Sequence, residues 1–319
     1  MRAIPVEIVF TMVMVGIMFG LSAMYGLPVN FPSGERAAFV GVHYLYPLIG
    51  VGLWGIFALL SRRREVARTF LIALPCYAIV LLVHFHLKLW VPHINPRLYD
   101  GFYWQLDQAM RPLVDACMAA RRAMSVVVPM DSNFYMIGFI ALFYISFYYH
   151  AFVTPDRFRQ LFLAALVFQG LGGLAYMAFP ALGPFLYEPG LDAASSGAQK
   201  SMLEFYRNSV AGGAEWLILK GSSHLTAGLG AMPSLHTGGS FLFFLFACKH
   251  GRVLVPLYAM ILAFILVAAV STRWHYLIDV PAGLALAWFS LRLAERLTLE
   301  QKPVHRSGDA QSAGPLPAT

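Results

Sequence analysis

The residues best suited to chemistry lie in two short stretches of the C-terminal half. One is Ala231-Met-Pro-Ser-Leu-His236-Thr-Gly-Gly, and the other is Ser271-Thr-Arg-Trp-His275-Tyr-Leu-Ile-Asp279-Val. His275 and Asp279 are four residues apart, so on a helix they share a face. The carboxylate would accept the Nδ1–H of the imidazole and fix its tautomer. Nε2 is then left unprotonated, as a nucleophile or base requires. His236, from another helix, would protonate a leaving group. Pro233 and Ser234 read as a helix opening, with Ser234 capping backbone N–H groups. A helix start suits a phosphate, and Gly238 and Gly239 would let a ligand or another backbone approach. Two histidines and an aspartate at helix mouths point to phosphoryl transfer through a phosphohistidine. His236, His275 and Asp279 are the candidate catalytic residues.

These stretches resemble the type 2 phosphatidic acid phosphatase (PAP2) superfamily. Pro-Ser-Leu-His236 is similar to its Pro-Ser-x-His motif, and His275-Tyr-Leu-Ile-Asp279 to its His-x-x-x-Asp motif. The resemblance covers roughly residues 68–296 and implies a six-helix catalytic core. The superfamily's first motif, Lys-x6-Arg-Pro, reads as absent: Arg111-Pro112 is present, but Trp104 stands where the lysine belongs. The Ser-Arg pair before the last histidine is replaced by Ala268 and Ala269. With Arg273 and Phe179-Pro-Ala-Leu-Gly-Pro184, these departures resemble the inositol phosphorylceramide synthase and sphingomyelin synthase branch, whose members move a phospho-head-group between lipids.

Composition sets the frame. Of 319 residues, 59% are hydrophobic and 12% charged, about half the charged share of soluble proteins. The apolar residues gather in runs of bilayer-spanning length, about 20 residues. They fall at roughly 6–27, 38–60, 69–91, 133–153, 161–181, 233–249, 253–272 and 276–296. All are expected to be helices, because lipid-exposed backbone must bond to itself. The expected fold is therefore an all-α polytopic bundle of about eight transmembrane helices. Its parts are two N-terminal helices (1–67), the catalytic domain (68–296) and a disordered tail (297–319). Glu7, His43, His84 and His86 fall in or near these runs and read as satisfied interior or interfacial groups. His84 and His86 point to different helix faces, which argues against a metal pair.

The net charge of +7 is not a nucleic-acid footprint, because the arginines sit in short loops. Arg62-Arg63-Arg64 with Arg68, Arg157 with Arg159, Lys249 with Arg252, and Arg292 with Arg296 occupy alternate connections. By the positive-inside rule these connections and both termini are cytoplasmic, and His236 and His275 share the extracytoplasmic face. The arginines of 92–132 run against this pattern. That segment reads as interfacial, with an amphipathic helix from Gln105 to Met124 that serves as a packing collar or a lipid-admitting rim. Tyr99-Asp100 and Asp107 resemble an aspartate-bearing segment of the synthase branch.

The 182–230 stretch reads as a long loop with a short helix near 198–208, placed to cover the site. Arg207, Lys220, His224 and Arg273 are candidate phosphate cations. Ser234, Gly238, Lys220, His224 and Arg273 form the expected substrate-binding set. No zinc-ligand spacing, nucleotide loop or repeat is present, so neither metal nor cofactor is expected, and the substrates are membrane lipids. Cys76, Cys117 and Cys248 imply no disulfide framework. Two enzyme activities remain open, lipid head-group phosphotransfer and phosphatidate or polyprenyl phosphate hydrolysis. A transporter is the alternative of another class, because intramembrane ionisable groups also mark ion pathways.

Overall fold

The structure is a computed structural model that describes residues 4–31, 38–39, 42–43, 45–127, 132–191, 193–226 and 229–300. It is a helical bundle. In chain order the helices are α1 (Val6–Tyr25), α2 (Leu45–Leu60), α3 (Arg64–Ile94), α4 (Asp100–Ala109), α5 (Arg111–Val127), α6 (Ser132–Phe152), α7 (Pro155–Ala178), α8 (Ala193–Lys220), α9 (Leu235–His250), α10 (Val255–Ser271) and α11 (Asp279–Glu300). Each of the eight apolar runs contains one of these helices. Among the described residues, five helical stretches are long and apolar enough to cross a membrane: Val6–Tyr25, Arg64–Ile94, Phe134–Phe152, Pro155–Ala178 and Arg252–Ser271. The chain is a multi-pass membrane protein.

α7 is the central helix. Of its apolar stretch 67% is buried, against 22% for α1. α3 and α11 pack along it, and α9 packs on α10 and α11. α1 is tied to α7 by Glu7, a buried carboxylate that accepts two hydrogen bonds from Arg159 at 2.6 and 2.9 Å. The basic connections gather at one end of the bundle. Arg63 Nη1 donates to the Phe152 carbonyl at 2.8 Å, Gly251 lies against Tyr149 and His150, and Lys249 pairs with Glu295. α3 leaves that end at Arg64, and α9 and α11 run towards it, so His236 and Asp279 lie at the opposite end.

Several expectations are corrected. The segment expected as helix from residue 38 opens with a small antiparallel pair, β1 (Ala38–Phe39) and β2 (Val42–His43), and α2 begins at Leu45. The interfacial helix is two helices that meet at Met110, just before Pro112, which cannot donate a backbone bond to the preceding turn. The 182–230 stretch is mainly α8, a helix broken only at Gly213, where φ is 58°. The α11 helix runs to Glu300, so residues 297–300 are helical, and the rest of the expected tail lies outside the described residues.

α9 and α11 approach each other closely. A Cβ at Gly283 would overlap the carbonyl oxygen of Ser234, and one at Gly238 would strike the Gly283 backbone. Gly238 therefore receives a neighbouring backbone, not a ligand. Gly283→Ala should cost about 1–3 kcal/mol through overpacking, read as a lower unfolding midpoint in detergent. Gly16→Ala, where nothing lies within 4 Å of the new methyl, should show no such loss. Equal midpoints for the two variants would mean that the α9–α11 contact is slack.

Candidate active site

The site is built from two loops that grip each other through the backbone. α10 ends at Ser271, and Arg273 turns the chain with a left-handed φ of 60°. α11 begins only at Asp279. His275 therefore lies in a tight loop, and the expected shared helix face does not exist. Its imidazole is nonetheless fixed. Nδ1–H donates to the Ala231 carbonyl at 2.7 Å, while Asp279 Oδ2 is 3.5 Å away. A carbonyl can only accept, so the proton sits on Nδ1 and Nε2 carries the lone pair. The tautomer is the expected one, but its main partner is a backbone atom.

Asp279 braces the loop. Its Oδ2 accepts the Tyr276 N–H at 2.8 Å, and its carbonyl accepts the Ser234 N–H at 3.0 Å. Oδ1 is buried without a hydrogen-bond partner. Ser234 holds the N-cap position of α9, but its hydroxyl donates to Thr237 Oγ1 at 2.9 Å instead of capping a backbone N–H. Pro233 follows a cis bond and precedes the helix; it does not open the first turn.

His236, in the first turn of α9, is half-buried between Tyr135 and Phe139, with ring centroids at 5.2 and 4.7 Å. It lies within electrostatic reach of His275, Lys88 and His84. The last two, both on α3, are residues that sequence reasoning missed. Lys88 Nζ lies 5.6 Å over the Tyr176 ring. It fits because Gly230 has no side chain: a Cβ there would press on Lys88 Cε at 2.8 Å. His84 donates Nδ1–H to the Gln169 carbonyl at 3.1 Å, which leaves Nε2 free to accept. His86, as expected, faces elsewhere, with Nδ1–H on the Leu82 carbonyl and Nε2 accepting the Asn30 N–H.

Lys88 carries a signal that was available. Lys88-Leu-Trp-Val-Pro-His-Ile-Asn95-Pro96 has the spacing of Lys-x6-Arg-Pro, with asparagine in the arginine position. The stretch resembles the first motif without its arginine. Asn95 donates Nδ2–H to the Met177 carbonyl at 2.9 Å.

The expected phosphate cations are placed as follows. Lys220 and Arg207 are exposed. His224 stacks on Phe205 at 5.6 Å and bonds the end of α8. Arg273 is fully buried, with Nη2 3.0 Å from Asp107 Oδ2 and 3.6 Å from Glu188 Oε2, while Nε and Nη1 have no hydrogen-bond partner. It also lies over Trp104 at 5.6 Å.

Those contacts show what α4 does. Asp107 accepts the Leu277 N–H at 2.8 Å as well as Arg273. Asp100 accepts the Leu182 and Gly183 N–H groups and the Tyr276 hydroxyl at 2.8–3.1 Å. Burial pushes both carboxyls up, and the bound N–H groups pull them back. Glu188 is held below the usual carboxylate range by Arg111, which donates to both its oxygens at 2.8 Å. The 183–191 segment completes the brace: Phe185 N–H donates to the Arg273 carbonyl and Leu191 N–H to that of Ser271. From α8, Gln199 donates to the Thr272 carbonyl at 2.7 Å. The segment read as a packing collar or a lipid-admitting rim thus clamps the His275 loop.

Among the described residues, no three His, Cys, Asp or Glu side chains group as metal ligands. One end of the helical bundle thus holds His236, His275, Asp279 and Lys88. The chain belongs to the PAP2 superfamily, which it matches over residues 104–293. Membership points to lipid phosphatase or phosphotransferase chemistry. No curated protein and no solved structure matches the chain.

Asp107→Asn should leave the buried Arg273 short of its ion-pair partner, a loss worth about 3–5 kcal/mol. Asp115→Asn, at a carboxylate whose side chain is 56% exposed, should cost under about 1 kcal/mol. Thermal unfolding in detergent measures both. If the two variants behave alike, the His275 loop is held without Asp107.

Proposed function

We propose that the protein transfers a phospho-head-group from a membrane lipid to an alcohol through a covalent phosphohistidine, in the manner of inositolphosphotransferases and sphingomyelin synthases. The observation that carries this is His275: one nitrogen bonded to the Ala231 carbonyl, the other bearing a lone pair, in a residue only 5% exposed. Nε2 attacks phosphorus, and the P–O bond to the lipid alkoxide breaks as the P–N bond forms. His236 gives its proton to the departing oxygen. An anionic phosphate between His236, His275 and Lys88 favours the protonated His236 that this step needs. Asp279 stabilises the charge gained by His275. Lys88, with the N–H groups at the α9 start, balances the anionic oxygens. An acceptor hydroxyl then gives its proton to His236 and attacks phosphorus, and the P–N bond breaks. The loop of His275 is clamped beneath α4 and α8, which favours an alcohol delivered from the membrane over bulk water.

Hydrolysis is the second reading, with phosphatidate or a polyprenyl phosphate as substrate. Lys88-x6-Asn95-Pro96 favours it, because this likeness to the first motif weakens the absence that set this chain apart from the phosphatases. Inorganic phosphate release measured against lipid-to-alcohol transfer separates the two. A transporter would show neither.

His275→Ala should abolish turnover and all acid-labile, base-stable phosphate on the protein after rapid quenching. His236→Ala should lose about 10²–10⁴-fold with a natural ester. It should recover its first step with an activated aryl ester and then accumulate the phosphoenzyme. Lys88→Met should lose about 10²–10³-fold, and excess chelator should leave the wild type unaffected. Label on His275→Ala would assign the nucleophile to another residue.

We also propose that the site opens on the extracytoplasmic face, with both termini cytoplasmic, because the basic connections cluster at the opposite end of the bundle. In a background lacking Cys76, Cys117 and Cys248, a membrane-impermeant thiol reagent applied to intact cells or spheroplasts should label Ser222→Cys and spare Ser61→Cys. The reverse pattern overturns the orientation.

A further inference from the structure

A cavity of about 180 Å³ runs from the His236 end into the bundle between α2, α3, α6, α7 and α9. Lys88, His84, His236 and Tyr176 line it towards the His236 end. The remaining walls are mainly apolar, Leu81, Phe139, Phe143, Phe147 and Val51 among them, with Tyr77, Tyr144 and Gln169 as further polar groups. On α6 the lining runs from Met136 to Phe147, a rise of about 16 Å at 1.5 Å per residue. A slot with a volume of about 180 Å³ along that length is closer to one hydrocarbon chain than to two.

The outer wall is α2, which lies outside the stretch that matches the superfamily. Leu48 and Val51 face the slot. Tyr144 seals α2 to α6: its ring fills the space a side chain at Gly50 would need, and its hydroxyl donates to the Tyr46 carbonyl at 3.2 Å. Without α2 this side of the slot would open to lipid.

An anionic head with a single long apolar tail matches both ends of the slot. We propose that it is the acyl-chain site, taking one hydrocarbon chain of the lipid phosphoester into the protein, with α2 as the wall that sets chain fit. The proposal rests on the reading of the His236–Lys88 end as the phosphate site. A pocket buried in the bundle gains little over bilayer lipid from hydrophobicity alone, since lipid tails are already apolar. Its effect is therefore selection by width and length.

The test uses an n-alkyl phosphate bearing a diazirine on its terminal carbon. It is photolysed with the full-length protein in lipid nanodiscs and mapped by mass spectrometry. His275→Ala is treated in parallel, so that binding is read apart from turnover. Expected are adducts on Leu74, Val51 or Phe147, at least tenfold reduced by excess unlabelled alkyl phosphate, in both proteins. Val51→Trp and Leu74→Trp, each narrowing the slot from a different helix, should reduce these adducts several-fold and shift substrate preference to shorter chains. Adducts confined to the outer face of α2, at Leu53, Ile56 or Leu60, or interior adducts indifferent to competitor, would overturn the chain site. Loss of phosphohistidine chemistry with interior labelling intact would instead overturn the catalytic reading alone.

Discussion

Two backbone contacts hold the candidate site together. The Ala231 carbonyl accepts Nδ1–H of His275, and the Asp279 carbonyl accepts the Ser234 N–H. They cross between the loop that starts α9 and the loop that starts α11. They form only because Gly238 and Gly283 let those helices meet without intervening side chains. Each histidine is therefore placed by the segment that carries the other. Displacing either loop alters both the tautomer of His275 and the position of His236. Backbone atoms are well suited to this work, since their geometry is set by the helices and has no rotamers to order.

Outside this pairing stands a shell of carboxylates. Asp100 and Asp107 project from α4 into the turns at 182–183 and 273–277, where each satisfies backbone N–H groups that burial would otherwise leave unpaired. Arg273 balances Asp107, and Arg111 with Glu188 carries the same network towards the surface. A buried ion pair contributes little net stability, yet removal of one partner is costly. That property makes the network a positioning device more than a source of stability. The network also holds the arginine nearest in sequence to His275 inside the protein, with Nη2 on Asp107 and with Nε and Nη1 buried without a hydrogen-bond partner.

The sequence by itself determined the class and the seed of the site. Hydropathy is local and additive, so each apolar run could be read as a helix without knowledge of its neighbours, and each contains one, although the 38–60 run opens with a short strand pair. The alternation of basic connections likewise placed both motifs at one end of the bundle. His236, His275 and Asp279 were legible because their types and spacing carry chemistry in a single line of sequence. Tertiary structure decided what those residues touch. The partner of His275 is the carbonyl of an alanine, which has no side-chain signature. Lys88 and His84 enter the site from a helix more than a hundred residues away, through packing that local pattern does not encode. Arg273 looked available because it is near the nucleophile in sequence, but the fold turns it towards Asp107. The expected i, i+4 pair on one helix face failed because the chain needs a tight loop at Arg273 to bring α10 round to α11. That loop is held by α4 and α8, whose contacts to it exist only once the chain is folded.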